Sequence, residues 1–246
     1  MASFDLRIGT AGWSIPAAVA GRFPGPGSHL ERYARVMNAA EINSSFHRPH
    51  RRTTYERWAA STPDGFRFSV KVPRLLTHDQ RLADPAEVLD RFAGEAAGLG
   101  NKLAVILVQL PPSLKFDQTL AAAFFDALQA RIDAPVACEP RHADWFRPET
   151  DAWLADRRIA RVAADPAKQP GAESPGGWRG LAYFRLHGSP RVYYSAYGPE
   201  VLADTARSLR EEAARAPTWC VFDNTAGSAA LPDALTVRAA AGDERP

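Results

Sequence analysis

The sequence predicts an α/β protein, a single (β/α)8 TIM barrel filling one domain over residues 1–246. Three observations predict it. Short β-branched and aromatic runs alternate with Ala- and Leu-rich amphipathic stretches, the order that gives right-handed crossovers and a parallel sheet. The β-rich runs number eight, the count that closes such a barrel. Charged residues also share one side of several of these runs, which an open sheet covered by helices on both faces tolerates poorly.

The elements follow in order. The first strand is expected over Leu6–Thr10, and no Gly-rich phosphate fingerprint follows it, which argues against an open doubly wound sheet. After a helix near Leu30–Met37, a second strand at Ala40–Asn43 sets Ala40 and Ile42 against Glu41 and Asn43. A helix near Thr54–Ser61 leads to a third strand, Phe66–Val72, with Phe66, Phe68, Val70 and Val72 opposite Arg67, Ser69 and Lys71. Successive side chains of a strand point to opposite faces, so these sets separate an outer from an inner side. Helix Pro85–Leu99, strand Leu103–Gln109 and helix Asp117–Arg131 come next. Strand Val136–Glu139 places Ala137 and Glu139 opposite Val136 and Cys138, and helix Pro148–Asp156 follows. In the sixth strand, Ile159–Ala163 and just beyond, Arg161, Ala163 and Asp165 oppose Ala160, Val162 and Ala164. The segment Pro166–Gly180 is rich in Pro and Gly and carries no clear helix, so an irregular loop is expected between the sixth and seventh strands. The seventh strand, Ala182–His187, sets Tyr183, Arg185 and His187 against Phe184 and Leu186. Helix Pro199–Arg215, strand Trp219–Asp223 and helix Ser228–Ala240 complete the pattern.

Composition narrows the function classes. Hydrophobic residues make up 46% and charged residues 24%, the balance of an ordinary globular protein. No run of eighteen apolar residues occurs, so no membrane span is expected. Met1 to Gly12 lacks a basic region followed by a long apolar run, so no secretory leader is expected and the cytoplasm is the expected compartment. Cys138 and Cys220 both sit inside apolar runs, with no CxxC pair, which points to buried thiols in a reducing compartment. The net charge of +2 does not by itself argue for nucleic acid or membrane. Positive charge is carried almost wholly by Arg, with lysine only at positions 71, 102, 115 and 168, and Ala and Pro are abundant. That bias fits a GC-rich bacterial coding sequence and sets each lysine apart.

Position along the strands separates stabilising from functional groups. Arg7, Glu41, Arg67 and Arg161 lie near strand starts, where such barrels keep structural contacts. Asn43, Lys71, Gln109, Glu139, Arg141, Asp165, Arg185, His187, Asp223 and Asn224 lie at or just past strand ends, where barrel enzymes place their chemistry.

Seven runs carry a resemblance: Ile8-Gly9-Thr10-Ala11-Gly12-Trp13-Ser14, Glu41-Ile42-Asn43-Ser44-Ser45-Phe46, Phe68-Ser69-Val70-Lys71-Val72-Pro73, Gln109-Leu110-Pro111-Pro112-Ser113, Glu139-Pro140-Arg141-His142, Arg185-Leu186-His187-Gly188 and Phe222-Asp223-Asn224-Thr225. In this order they resemble the YecE-like family, domain of unknown function 72. The resemblance implies an eight-stranded barrel and assigns no activity. It also implies a more distant similarity to barrels of the xylose-isomerase and endonuclease-four class, and nucleic acid among the ligands to weigh. Two departures stand out. The run Trp13-Ser14-Ile15-Pro16-Ala17-Ala18 lacks the aromatic pair that often follows Gly-Trp in that family. Asp223-Asn224 stands where two Asn are common.

The residue types at the strand ends suggest an enzyme acting on an anionic substrate, a phosphorylated sugar or nucleic acid. The expected catalytic set is Glu139, His187, Asp165 and Lys71, with Glu139 or Asp165 as base and His187 as acid. Lys71 can bind an anion or move a proton, since a buried lysine titrates readily and an arginine does not; its bland alternative is an ion pair with Glu41 or Glu139. Glu139 and Arg141 either divide the work of base and bidentate anion holder or neutralise each other. Asn43, Gln109, Arg141, Arg185, Asp223, Asn224, Trp13 and Tyr197 form the expected substrate-binding set. Tyr193, Tyr194 and Tyr197 beside Arg191, extended by Trp13 and Trp145, either stack on bases or sugars or form a loop packed onto the barrel mouth, with Trp145-Phe146 alternatively anchoring a helix start. His47, His50, His78 and His142 fall in loops and are weaker candidates. No cofactor is expected, and fixed positive charges make a metal disfavoured. The expected partner is a small anion or nucleic acid. Two rivals remain: a non-catalytic nucleic-acid-binding barrel, and a structural or interaction module.

Overall fold

The structure is a computed structural model that describes residues 5–242. Residues 1–4 and 243–246, which hold the two ends of the expected domain and the start of the segment read for a leader, lie outside the described residues. The strands are β1 (Leu6–Thr10), β2 (Ala39–Ile42), β3 (Arg67–Lys71), β4 (Leu103–Gln109), β5 (Val136–Glu139), β6 (Ile159–Arg161), β7 (Ala163–Asp165), β8 (Gly176–Gly177), β9 (Ala182–Leu186) and β10 (Thr218–Phe222). The helices are α1 (His29–Ala34), α2 (Arg52–Ala60), α3 (Ala86–Ala96), α4 (Gln118–Gln129), α5 (Pro148–Asp156), α6 (Pro199–Ala213) and α7 (Ala230–Ala241). Local chemistry fixes several helix starts. Ser28 and Glu31 form a reciprocal capping box on α1, Asp117 accepts from the Leu120 N–H at 2.9 Å on α4, and Pro opens α5 and α6, each satisfying or removing an unpaired N–H.

This is a mixed α/β fold whose ladders form two sheets, in the orders β1-β10-β9-β7 and β2-β3-β4-β5-β6-β8. Every pairing is parallel except that of β8 with β6. The strands expected from β-rich runs are present, with one division. The sixth becomes β6 and β7, separated by Val162, because its first half pairs with β5 and its second half with β9. The irregular segment expected after it contains β8, which pairs antiparallel along the edge of β6.

The second meeting of the sheets is between β1 and β2, and side chains replace most of the ladder. Asn38 Oδ1 accepts from the Ile8 N–H at 2.9 Å while its Nδ2 donates to the Leu6 carbonyl at 2.9 Å. The Tyr33 hydroxyl accepts from the Thr10 N–H at 2.9 Å and donates to the Ala39 carbonyl at 3.1 Å. Backbone pairing resumes only at the top, where the Gly12 N–H donates to Glu41 O at 2.8 Å. Gly9 makes the approach feasible, since a Cβ there would stand 2.1 Å from the Ala39 carbonyl oxygen.

Strand parity divides the core as the sequence suggests. Ile8, Ile42, Phe68, Val70, Val108, Cys138 and Phe222 pack with helix residues such as Leu89, Phe124, Leu209 and Leu235. The opposite strand faces form a smaller apolar cluster of Ala39, Val105, Leu107, Ala137, Ala160, Val162, Tyr183, Trp219 and Val221. This second face is thus layered, apolar toward the strand starts and ionic toward the ends. Two expectations change. Arg161 leaves on the helix side, donating to Asp151 at 2.8 Å and lying over the Phe146 ring, because Ala160 and Val162 fill the inner face of this strand. Glu41 is no strand-start contact but part of the buried ionic layer. Among the described residues no helix is long and apolar enough to cross a membrane.

Candidate functional site

Parallel pairing brings the carboxyl ends of the strands to one edge of the fold. Lys71, Gln109 and Glu139 are the last residues of β3, β4 and β5, and Asn43, His187 and Asp223 directly follow β2, β9 and β10. Beneath this edge lies a dehydrated ionic layer centred on Arg185. Its guanidinium donates to Glu41 Oε2 at 3.0 Å and Oε1 at 2.7 Å, to Glu139 Oε2 at 2.8 Å and to Asp223 Oδ2 at 3.1 Å. The Tyr183 hydroxyl, shared with Ser69 at 2.7 Å, donates to Glu41 as well. Arg185 and both glutamates are 0% exposed; charges this deep persist only when paired and hydrogen-bonded.

His187 links two of the same carboxylates. Its Nδ1 lies 3.0 Å from Asp223 Oδ2 and its Nε2 2.9 Å from Glu139 Oε1. Burial opposes charge on the imidazole, but the Glu139 carboxylate and the bonds to Asp223 and Glu139 outweigh it, so its pKa is raised. Burial likewise opposes charge on Glu139, and Arg185, His187 and Arg141 overcome it, holding this carboxyl well below its ordinary range. Asp223 is lowered as well, burial being outweighed first by Arg185. Arg141 caps the layer, donating to Glu139 Oε1 from Nε at 3.1 Å and Nη2 at 2.6 Å.

Above the layer opens a cleft of about 540 Å³ whose lining includes Asn43, Lys71, Arg74, Gln109, Arg141 and Asp223. Its lining charges are unbalanced, Lys71, Arg74 and Arg141 against one carboxylate, Asp223, although Arg74 also pairs with Asp79 at 3.3 Å and Arg141 with Glu139 at 2.6 Å outside the lining. Lys71 forms no ion pair within 4.0 Å among the described residues, so in place of the alternative pairing with Glu41 or Glu139 it makes a contact with the Phe46 ring, 4.0 Å from Nζ to its centroid. The reason is competition, since the carboxylates beneath are already held by Arg185, Arg141 and His187. Burial, then repulsion from Arg185, lower its pKa to about 8 against the pull of Glu41, Glu139 and Asp223. His78, also in the lining, is lowered by burial and by Arg74 and Lys71. Tyr193 covers the floor, its ring edge-on to His187 at 5.7 Å, from a backbone held at φ 70. That left-handed conformation costs a bulky residue roughly 1–2 kcal/mol.

The strand-end candidates therefore separate by depth. Lys71, Asn43, Gln109, Arg141 and Asp223 reach the cleft; Glu139, His187 and Arg185 lie under it. Asp165 and Tyr197 bind each other instead, with the Tyr197 hydroxyl donating to Asp165 Oδ1 at 2.8 Å and accepting from the Gly188 N–H at 2.8 Å. Asn224 braces the Ser195 carbonyl and Asp233, at 2.9 and 2.7 Å, with its Oδ1 buried and unpartnered. Trp13 packs on Trp58 and Phe68 and lines an adjoining cleft of about 420 Å³ that shares Asn43 and His47 with the first. Trp145 is an anchor whose Nε1 donates to Leu114 O, rather than part of a stacking platform. His47 and His78 line the cleft, whereas His50 meets Ser44 and His142 accepts from Asp144 N–H. Sequence reasoning missed Arg74 and Phe46; the signal for Arg74 was its place just after the third strand, in Val72-Pro73-Arg74. Among the described residues no group of three or more His, Cys, Asp or Glu side chains is arranged to hold a metal ion; Arg185 occupies the centre of the three carboxylates.

Comparison with known proteins bears on the fold and the family. The crystal structure of a DUF72 family protein from Enterococcus faecalis superposes with a TM-score of 0.84 at 19% identity, covering 98% of this chain and 97% of that one. A DUF72 family protein from Thermotoga maritima gives 0.73 at 25% identity, with 95% and 98% covered. The UPF0759 protein YunF of Bacillus subtilis is 28% identical over 149 residues, 58% of this chain and 53% of its own length. The UPF0759 protein YecE of Escherichia coli K12 is 28% identical over 142 residues, 57% and 50% of the two chains. The chain thus spans about half the length of the curated relatives it matches. The family described as "Protein of unknown function DUF72" matches residues 7–246, and the chain belongs to it.

Proposed function

We propose that this chain is an enzyme acting on a small anionic substrate, of the phosphorylated-sugar or nucleic-acid type, in the cleft at the carboxyl edge of a closed (β/α)8 barrel formed as one domain. The observation that carries the reading is the charge imbalance of that cleft, where Lys71, Arg74 and Arg141 converge on a space holding Asp223 as its one carboxylate among the described residues. A cationic site whose innermost charge, Lys71, is buried favours an anion by more than a fully exposed one would, because the field is less screened. Closure is supported at both meetings of the sheets: β6 and β7 are consecutive pieces of one extended segment, and β1 meets β2 through Asn38, Tyr33 and a parallel bridge from Ala11 to Glu41.

The roles follow depth. Arg74 and Arg141 hold the anion, Asn43 and Gln109 orient its neighbours by hydrogen bonds, and Lys71 presents its amine to the reacting group. Glu139, His187 and Arg185 act as positioning residues, fixing Arg141 and Asp223 from below. Asp165, Tyr197 and Asn224 brace the loops of the edge. The test is a screen of phosphorylated compounds with binding and turnover measured together. Lys71→Met should lower kcat by about 10²–10⁴. Arg141→Gln should weaken binding of the same compound about 10- to 100-fold, the worth of a hydrogen bond to a charged group. A turnover unchanged in Lys71→Met would remove the catalytic role.

A second reading has its own observation. Tyr193 and Tyr194 are 41% and 45% exposed at the cleft mouth, with the Arg191 guanidinium 3.9 Å over the Tyr194 ring. Such a surface suits stacking on single-stranded nucleic acid. Salt-sensitive retention of an oligonucleotide without turnover would favour that binding role.

A further inference from the structure

Lys71 is unusual in what surrounds it. It closes β3, is 95% withdrawn from solvent by its 5% exposure, and presents Nζ to the cleft with an aromatic ring and no ion-paired carboxylate. A lysine kept only to hold an anion gains from full charge, and nearby carboxylates would secure it. Here the acids beneath are taken up by other cations: Glu41 by Arg185, Glu139 by Arg185, Arg141 and His187, and Asp223 by Arg185 and His187. The arrangement leaves one amine in a desolvated pocket beside permanent guanidinium charges, the setting in which a lysine is a nucleophile.

We propose that Lys71 is a covalent anchor for an anionic aldehyde or ketone, condensing with its carbonyl carbon to form an imine. The inference rests on the anion-binding reading of the cleft and names its substrate class. The free Nζ lone pair attacks the carbonyl carbon as the C=O π pair moves to oxygen, and one amine proton reaches that oxygen to give a carbinolamine. A second proton then converts the hydroxyl to departing water as nitrogen forms the C=N bond. Counted from the ammonium, R–NH3⁺ and O=C become R–NH⁺=C and H2O, so the buried charge is unchanged and no oxidant or reductant is required. Arg74 and Arg141 hold the phosphate or carboxylate of the same molecule. His78, His47 and Asp223 are lining groups that can carry the proton to and from oxygen.

The groups facing Nζ set its ionisation together: Glu41 from β2, Glu139 from β5, Arg185 from β9, Asp223 after β10, and Arg74, His78 and Arg141 around the cleft. With the amine at about 8, roughly a tenth of the molecules carry it unprotonated at pH 7, against about three in ten thousand for an ordinary lysine. The other lysines offer an internal control. Lys102 is committed to the Ala59 and Thr62 carbonyls at 2.7 and 2.5 Å at the end of α2, and Lys115 and Lys168 lie outside the cleft lining.

The experiment incubates the full chain with pyruvate or glyceraldehyde 3-phosphate and cyanoborohydride, which supplies the hydride that fixes an imine as a secondary amine. Adduct sites are then mapped by peptide mass. Binding of inorganic phosphate is measured in parallel by calorimetry. The expected result is an adduct at Lys71 forming about tenfold or more faster than at positions 102, 115 and 168, slowed by added phosphate and absent in Lys71→Arg. The mapping uses the wild-type chain, so it stands even if the variant misfolds. Phosphate binding with no preferential adduct at Lys71 would overturn the imine and leave the anion site. Neither phosphate binding nor adduct would overturn both.

Discussion

The Arg185 guanidinium touches Glu41, Glu139 and Asp223 at once, all of them buried. Removing it leaves Glu41 with only the Tyr183 hydroxyl and takes one cation each from Glu139 and Asp223, and breaking a buried pair in this way costs about 3–5 kcal/mol. Arg185→Met should therefore lower the urea midpoint by roughly 1–5 M, given slopes of about 1–3 kcal/mol/M. Equilibrium unfolding monitored by circular dichroism checks it, and an unchanged midpoint would mean the layer contributes little. Protonation gives a second expectation. Glu139 and Asp223 are held below their ordinary values of 4.5 and 3.8, so their contribution is full above those values and fades as pH falls through the depressed ones. His187 is held above 6.5, so its contribution is full below 6.5 and fades as pH rises through the raised value. These three groups together favour the folded state most between about pH 4.5 and 6.5. A His187→Gln chain should lose the alkaline fall and keep the acidic one in a pH series of unfolding midpoints. At this scale the sequence was informative about identity and silent about depth. Alternation put Glu139, Arg185 and His187 on one face, but no pattern says whether a side chain on that face ends at solvent or under a neighbour.

Elements were legible where their hydrogen bonds are regular. The third strand could be read from four alternating apolar residues, and α4 from its Asp117 start. The meeting of β1 and β2 could not, because its bonds come from Asn38 and Tyr33 rather than from a ladder. A side-chain amide standing in for a strand leaves no periodic trace. Nor could the division of the sixth strand be seen, since it depends on which neighbours each half finds. The β1–β2 contact makes sharp predictions. Tyr33→Phe leaves the Thr10 N–H and the Ala39 carbonyl without their buried partner and should cost about 1–3 kcal/mol. Gly9→Ala drives a methyl into the Ala39 carbonyl and should cost more than Gly12→Ala, whose added Cβ meets open space at φ 82. There the cost is only the left-handed backbone, about 1–2 kcal/mol. Chemical denaturation of the three variants orders them, and equal losses for the two glycines would mean that β1 yields easily.

Across the molecule, two apolar layers flank the strands of the two sheets, with the ionic layer and the cleft stacked toward the carboxyl edge. The alternation of strands and helices announced that edge, and the strand-end residues pointed to it. What the sequence withheld was the vertical order, which decides that Lys71 is reachable and Glu139 is not. The segment Ile159–Asp165 has a further consequence. Since its front half is hydrogen-bonded to β5 and its back half to β9, melting of either sheet pulls directly on a strand of the other. Heat should take the fold apart in a single step, with calorimetric and van't Hoff enthalpies that agree. Partial exchange of one half against deuterium while its counterpart stays shielded would show the two halves to be separable after all.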